Sequence, residues 1–233
     1  MATSADAIRA GLLTLSAAAT IDLADALRRT TPTRAREVLL AVAPGAMGYY
    51  TSGSGALAAD WFDALREGVA PRSAYRSIVP EWRREEKFSR ALVWATEPLD
   101  LADPNLAEAL SRLGTAVEYE TFEAFSDSIN QNVQEDPEAI GWSRNANYGT
   151  ACKFCRMLAE RGAVYRKQET AHFAAHTNCQ CTCTPEFRGG KHGPEASVIQ
   201  YQASRRYRTK EQRDANNARI RDYLNKNYPD APG

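Results

Sequence analysis

Apolar residues recur at three- and four-residue steps over most of the first 135 positions of this chain, the spacing of amphipathic helices. Ile8, Leu12, Leu15, Ala19 and Leu23 share one face of a helix predicted over 3–29, with Thr3 or Ser4 as its cap. Arg28 and Arg29 suit the negative end of its dipole. Thr30-Thr31-Pro32 interrupts it, and a second helix, about 33–43, turns Ala35, Val38, Leu39 and Val42 to one side. Pro44 suits the first turn of a third helix, although Gly45, Gly48, Gly53 and Gly55 dilute the pattern across 44–55. It firms up over 56–66, where Leu57, Trp61 and Leu65 share a face and Gly68 ends the run.

Pro71, Pro80 and Pro98 punctuate a looser stretch, inside which 85–96 reads as a short helix burying Phe88, Leu92 and Val93. The longest periodic segment is 104–135, where Leu106, Leu110, Leu113, Val117, Phe122, Phe125, Ile129 and Val133 keep helical spacing. Asp103-Pro104 starts it and Asp136-Pro137 stops it, so it is predicted to be the spine of the body. Gly114 within it costs about 1 kcal/mol against Ala and marks a place for a bend. After Gly141 the periodicity ends, and Trp142-Ser143-Arg144 leads through a polar loop. A polar segment over 196–227 carries only a thin apolar stripe (Ile199, Ala203, Tyr207, Ala218, Ile220 and Leu224): a helix that needs a partner, or a mobile tail.

Composition adds limits. The 233 residues are 43% hydrophobic and 25% charged, ordinary globular material with enough apolar surface for a core. The formal net charge is +0 and the pI about 6.8, so any attraction to nucleic acid must be regional. No run of 18 apolar residues occurs, so no membrane span is predicted. Residues 1–29 read as a helix and not as an export signal, because Thr14, Ser16, Thr20 and Asp22 break the apolar run and Asp6 stands where basic residues belong. The expected compartment is a reducing cytoplasm, where clustered thiols favour metal over disulfides.

Such a cluster exists. All five cysteines, Cys152, Cys155, Cys179, Cys181 and Cys183, lie within 151–185, together with His172 and His176. The spacing is Cys-x2-Cys, twenty or so residues, then His-x2-Cys-x-Cys. A Cys-x2-Cys turn sets two thiolates around one ion with backbone amides facing the sulfurs, and a second pair from a distant hairpin completes a tetrahedron. The candidate ligands are Cys152, Cys155, His176, Cys179 and Cys181, with Cys183 and His172 as spares. Seven candidates for four places leave the set open; Cys152, Cys155 and His176 with Cys179 or Cys181 is the favoured one. Disulfides or unliganded thiols are the alternatives, and an odd cysteine count favours metal.

Catalytic patterns need a second group that this cluster lacks. A zinc deaminase needs His-x-Glu before Pro-Cys-x2-Cys, and here the histidines follow the Cys-x2-Cys. A nuclease of the HNH type would use His172 with Asn178, but no aspartate or histidine doublet accompanies them. A thioredoxin-like role lacks the preceding strand. The expected cofactor is therefore one structural Zn2+, a clip for a segment too poor in apolar residues to fold alone, in a protein that is not an enzyme.

The runs GWSRNANYGTACKFCRMLAERGAVY and AHTNCQCTCTPEF resemble the minor head proteins of tailed bacteriophages, the Mu F-like group, in the versions carried by actinobacterial phages. The match rests on Trp142, Arg144, Cys152, Phe154, Cys155, Met157, Leu158, Ala159, Arg161, Gly162, Val164, Tyr165, His176, Cys179, Cys181, Pro185 and Phe187. The extra Cys183 and the His-Phe-Ala-Ala-His spacing depart from it. The resemblance implies a minor capsid protein acting in head morphogenesis, associated with the portal or the major capsid protein and packaged in the virion interior. The tail arginines add an expected contact with packaged double-stranded DNA through Arg205, Arg206, Arg208, Lys210 and Arg213. The expected fold is mainly α: a helical body over 1–140, a zinc-stapled module over 141–187 and a basic, helical or extended tail over 188–233. The competing expectation is a zinc-dependent nuclease or toxin-like hydrolase acting on nucleic acid.

Overall fold

A computed structural model describes residues 4–69, 71–147, 149–165, 180–189 and 209–232. Helix α1, Ala5–Arg28, begins where Ser4 Oγ accepts the Ala7 N–H at 3.1 Å. It is long and apolar enough to cross a bilayer, yet Ile8, Leu12, Ala19, Leu23 and Leu27 are buried here in the protein core. Helix α2 is one continuous element, Pro32–Glu67, where the sequence pattern predicted a break at Pro44. Pro44 removes one intrahelical hydrogen bond, a cost of about 3 kcal/mol in an isolated helix. Flanking residues offset it: Leu39, Ala43 and Met47 are all fully buried against neighbouring helices. Tertiary packing overrides local propensity there.

Helix α3, Glu85–Thr96, matches its predicted bounds and buries Phe88 and Leu92, while Val93 faces outward at 39% exposure. Helix α4, Leu106–Glu135, is capped by Asn105, whose Oδ1 accepts the Glu108 N–H at 3.0 Å. It runs uninterrupted through Gly114, without the bend the sequence allowed for. As the pattern predicted, α4 is the spine: α1, α2 and α3 all pack on it.

Two apolar clusters follow its length. One joins the second half of α1, the first half of α2, α3 and the start of α4 around Leu39, Phe88, Leu92 and Leu113. The other joins the opposite ends of α1, α2 and α4 around Ile8, Phe62, Phe122, Phe125 and Ile129. An extended segment, 71–84, binds α2 to α4 through buried polar groups. Asn132 accepts the Ile78 N–H at 2.8 Å and donates to the Ile78 carbonyl at 2.9 Å. Arg84 donates to Glu120 at 2.7 Å, and buried Arg66 donates to buried Asp136, also at 2.7 Å.

Beyond α4 the chain forms a two-stranded antiparallel sheet, which no sequence pattern announced. Strand β1, Ala139–Asn145, pairs with β2, Thr182–Phe187, placing Trp142 opposite Pro185 and Arg144 opposite Cys183. Helix α5, Lys153–Glu160, lies between them in sequence. Trp142 stacks on Tyr165 with ring centroids 4.4 Å apart, and its backbone N–H donates to the Tyr165 carbonyl at 2.8 Å. Trp142, Cys155, Cys181, Cys183 and Phe187 all belong to the second apolar cluster, shared with α1, α2 and α4. A last helix, α6, Lys210–Asn227, opens on a capping box in which Thr209 and Gln212 satisfy each other's backbone amides.

Candidate metal centre

The Cys-x2-Cys turn is the N-terminus of α5. Cys152 is its cap residue, and its Sγ accepts the Cys155 N–H at 3.4 Å. Three residues on, Cys155 is 1% exposed and its Sγ lies 4.0 Å from the Arg144 guanidinium of β1. A helix N-terminus and a buried arginine both present positive potential to these sulfurs, the sign that a metal-binding thiolate needs. The helix ends at a glycine. Gly162 takes a left-handed φ of 69°, just past the Arg161 cap, and Tyr165 donates its hydroxyl hydrogen back to the Leu158 carbonyl at 2.9 Å.

On the other strand Cys181 and Cys183 are each 1% exposed. Cys183, a spare ligand in the sequence, faces Ser126 of α4 and is fully buried. Burial pushes its pKa up to about 12, against the smaller downward pulls of the Ser126 hydrogen bond and Arg144. No disulfide links any two of Cys152, Cys155, Cys181 and Cys183.

Among the described residues, no three or more His, Cys, Asp or Glu side chains gather closely enough to hold a metal ion. Cys152, Cys155 and Cys181 therefore do not form a three-ligand group by themselves, although all three meet the same apolar cluster. His176 and Cys179, with the spare His172, lie outside the described residues, as do Arg205, Arg206 and Arg208 of the expected DNA contact. The described donors fit half of a thiolate site: two cysteine sulfurs one helical turn apart, with amide and guanidinium donors beside them. Of the remaining DNA candidates, exposed Lys210 pairs with Asp214 at 2.8 Å within α6, and Arg213 is half-buried.

The groups that sequence reasoning missed are Ser143, Arg9 and Glu186. With Arg144, Asp6 and the backbone at Gly162, they line a cleft of about 480 Å³ between the start of α1, β1 and α5. Arg9 is 7% exposed and donates to the Gln180 carbonyl at 2.9 Å, which ties α1 to the chain entering β2. A lone arginine on an apolar helical stripe is the only signal that marked it.

A mainly helical protein that sets a Cys-x2-Cys helix against a small two-stranded sheet is the class this geometry defines. The chain matches the family model described as VG15 protein over residues 1–209 and belongs to that family, which consists of viral (phage) gene products. Neither the curated proteins nor the solved structures contain a match to it.

Proposed function

We propose that this chain is a minor capsid protein of a tailed bacteriophage, acting in head morphogenesis from inside the virion in association with the portal protein, the major capsid protein or both. The observation that carries this reading is the motif spanning Trp142 to Phe187, together with family membership over residues 1–209. The motif's described residues support a structural role. Trp142, Arg144, Cys155, Met157, Leu158, Tyr165 and Phe187 are all buried, so they serve to seat the hairpin and α5 on the helical body. One Zn2+ held by Cys152 and Cys155 with His176 and Cys179 or Cys181 is a staple in this reading, and the protein is not an enzyme. The basic residues before and within α6 are the contact for packaged double-stranded DNA.

The test is the protein's place in intact particles. Virions of a phage encoding this chain are expected to contain it, and crosslinking is expected to join it to the portal or major capsid protein. Absence from virions overturns the reading. So does cleavage of DNA or RNA by the purified protein, if His172→Ala or His176→Ala abolishes cutting without unfolding it.

A further inference from the structure

Helix α5 and its cap carry two of the described sulfurs of the proposed metal site, Cys152 and Cys155, and residues from the far end of the chain hold it in place. With eight residues it is too short to be stable alone, so its orientation depends on what packs against it. Cys155 turns one side into the hairpin cluster. The other side, Phe154, Met157 and Leu158, meets Tyr223, Leu224, Tyr228 and Ala231 in an apolar cluster separate from the two that hold the body. Both ends of α5 are tied as well. At its N-terminus the Lys153 N–H, adjacent to Cys152, donates to the Pro232 carbonyl at 3.1 Å, and Lys153 Nζ donates to Asn225 at 2.9 Å. At its C-terminus the Tyr228 hydroxyl donates to Glu160 at 2.5 Å. Residues 223–232 thus form a strap clamped over the helix, and they lie beyond the residues matched by the family model.

Building on the structural-zinc reading, we propose that docking of this strap and binding of a soft divalent ion by Cys152 and Cys155 are thermodynamically coupled. The strap fixes the short helix whose first turn presents the sulfurs, so less conformational freedom is left for the ion to remove. Linkage makes the effect mutual: the ion tightens the strap by the same factor by which the strap tightens the ion. The strap is then a regulator of the site, although none of its residues is a ligand.

The test uses the full chain under reducing conditions, with zinc as the probe. Zinc stoichiometry is measured first, then affinity by chelator competition for wild type, Tyr228→Phe and Tyr228→Ala. In parallel, hydrogen exchange of the Lys210–Asn227 amides is followed with zinc and after chelation. Tyr228→Ala is expected to weaken zinc binding by a factor between about 5 and 150, the usual range of coupling between sites, with Tyr228→Phe intermediate. Zinc is expected to slow exchange in α6. Equal affinities in all three proteins, or α6 exchange indifferent to zinc, overturn the coupling and leave the zinc site standing. A wild-type chain that takes up no zinc overturns the zinc reading and the coupling with it. If Tyr228→Ala fails to fold, wild-type exchange with and without chelator decides the matter.

Discussion

At the scale of single residues, the cysteines that look alike in sequence have separate physical roles. Cys152 caps a helix, Cys155 lies under a guanidinium, and Cys183 is a buried thiol against Ser126. The last has a measurable consequence. Unfolded, the Cys183 thiol ionises near 9.0; folded, burial keeps its proton up to about 12. Between those pH values the unfolded chain binds fewer protons than the folded one. The contribution of this buried thiol is therefore fully present below pH 9 and is lost as pH rises toward 12, at up to about 1.4 kcal/mol per unit. Urea denaturation from pH 8 to 11 should show a steeper loss of stability in wild type than in Cys183→Ala. Parallel curves would mean the thiol is ionised or solvated in the folded protein. The spacing of the cysteines could not separate these roles, because a helix cap and a strand interior both accept cysteine and only the register of β2 assigns each to its neighbours.

At the scale of elements, α4 was legible because an uninterrupted stripe from Leu113 to Val133 has one explanation, a buried helix face, although Leu106, read as part of that stripe, is 41% exposed. The continuity of α2 was not. Pro44 and four glycines obscure its pattern, and what keeps it helical is contact with α1, α4 and the 71–84 segment, which local sequence does not encode. The glycines differ among themselves. A Cβ on Gly45 would meet nothing within 4 Å, whereas one on Gly55 would lie 2.7 Å from Val79 Cγ1. Gly45→Ala should stabilise the protein by about 1 kcal/mol through helix propensity alone. Gly55→Ala should fall short of that gain by 1 kcal/mol or more, on the order of an overpacking cost, because Val79 sits on a segment pinned by Asn132. Equal melting shifts for the two variants would contradict this packing. Strand β1 was hidden for a different reason: buried Arg144 interrupts the alternation that marks a strand, and the partner of β1 lies beyond α5. The Cys-x2-Cys turn was legible as a local motif, while the tail's partner, α5, was not, since the residues that meet in that cluster are far apart in the chain.

At the scale of the whole molecule, the two apolar clusters stacked along α4 make that helix the shared wall of everything else. Helices α1 and α2 touch each other, but each also packs on Leu106–Glu135 and on the β1–β2 sheet. A fragment ending at residue 100 should therefore lack a cooperative melting transition, although it holds more than half of the body's helices. A sharp transition in that fragment, followed by circular dichroism, would show that α1–α3 are self-sufficient. The same arrangement sets a timetable for the nascent chain. Synthesis proceeds from the N-terminus, so α1 and α2 emerge with Leu12, Leu23, Leu39 and Met47 uncovered and stay so until α4 has followed. The β1–β2 pairing waits longer still, for the chain between Asn145 and Thr182 to be made and its loop closed. During that interval the young polypeptide is a sticky helical hairpin, and its yield in a cell is governed by how long the ribosome takes to deliver the spine.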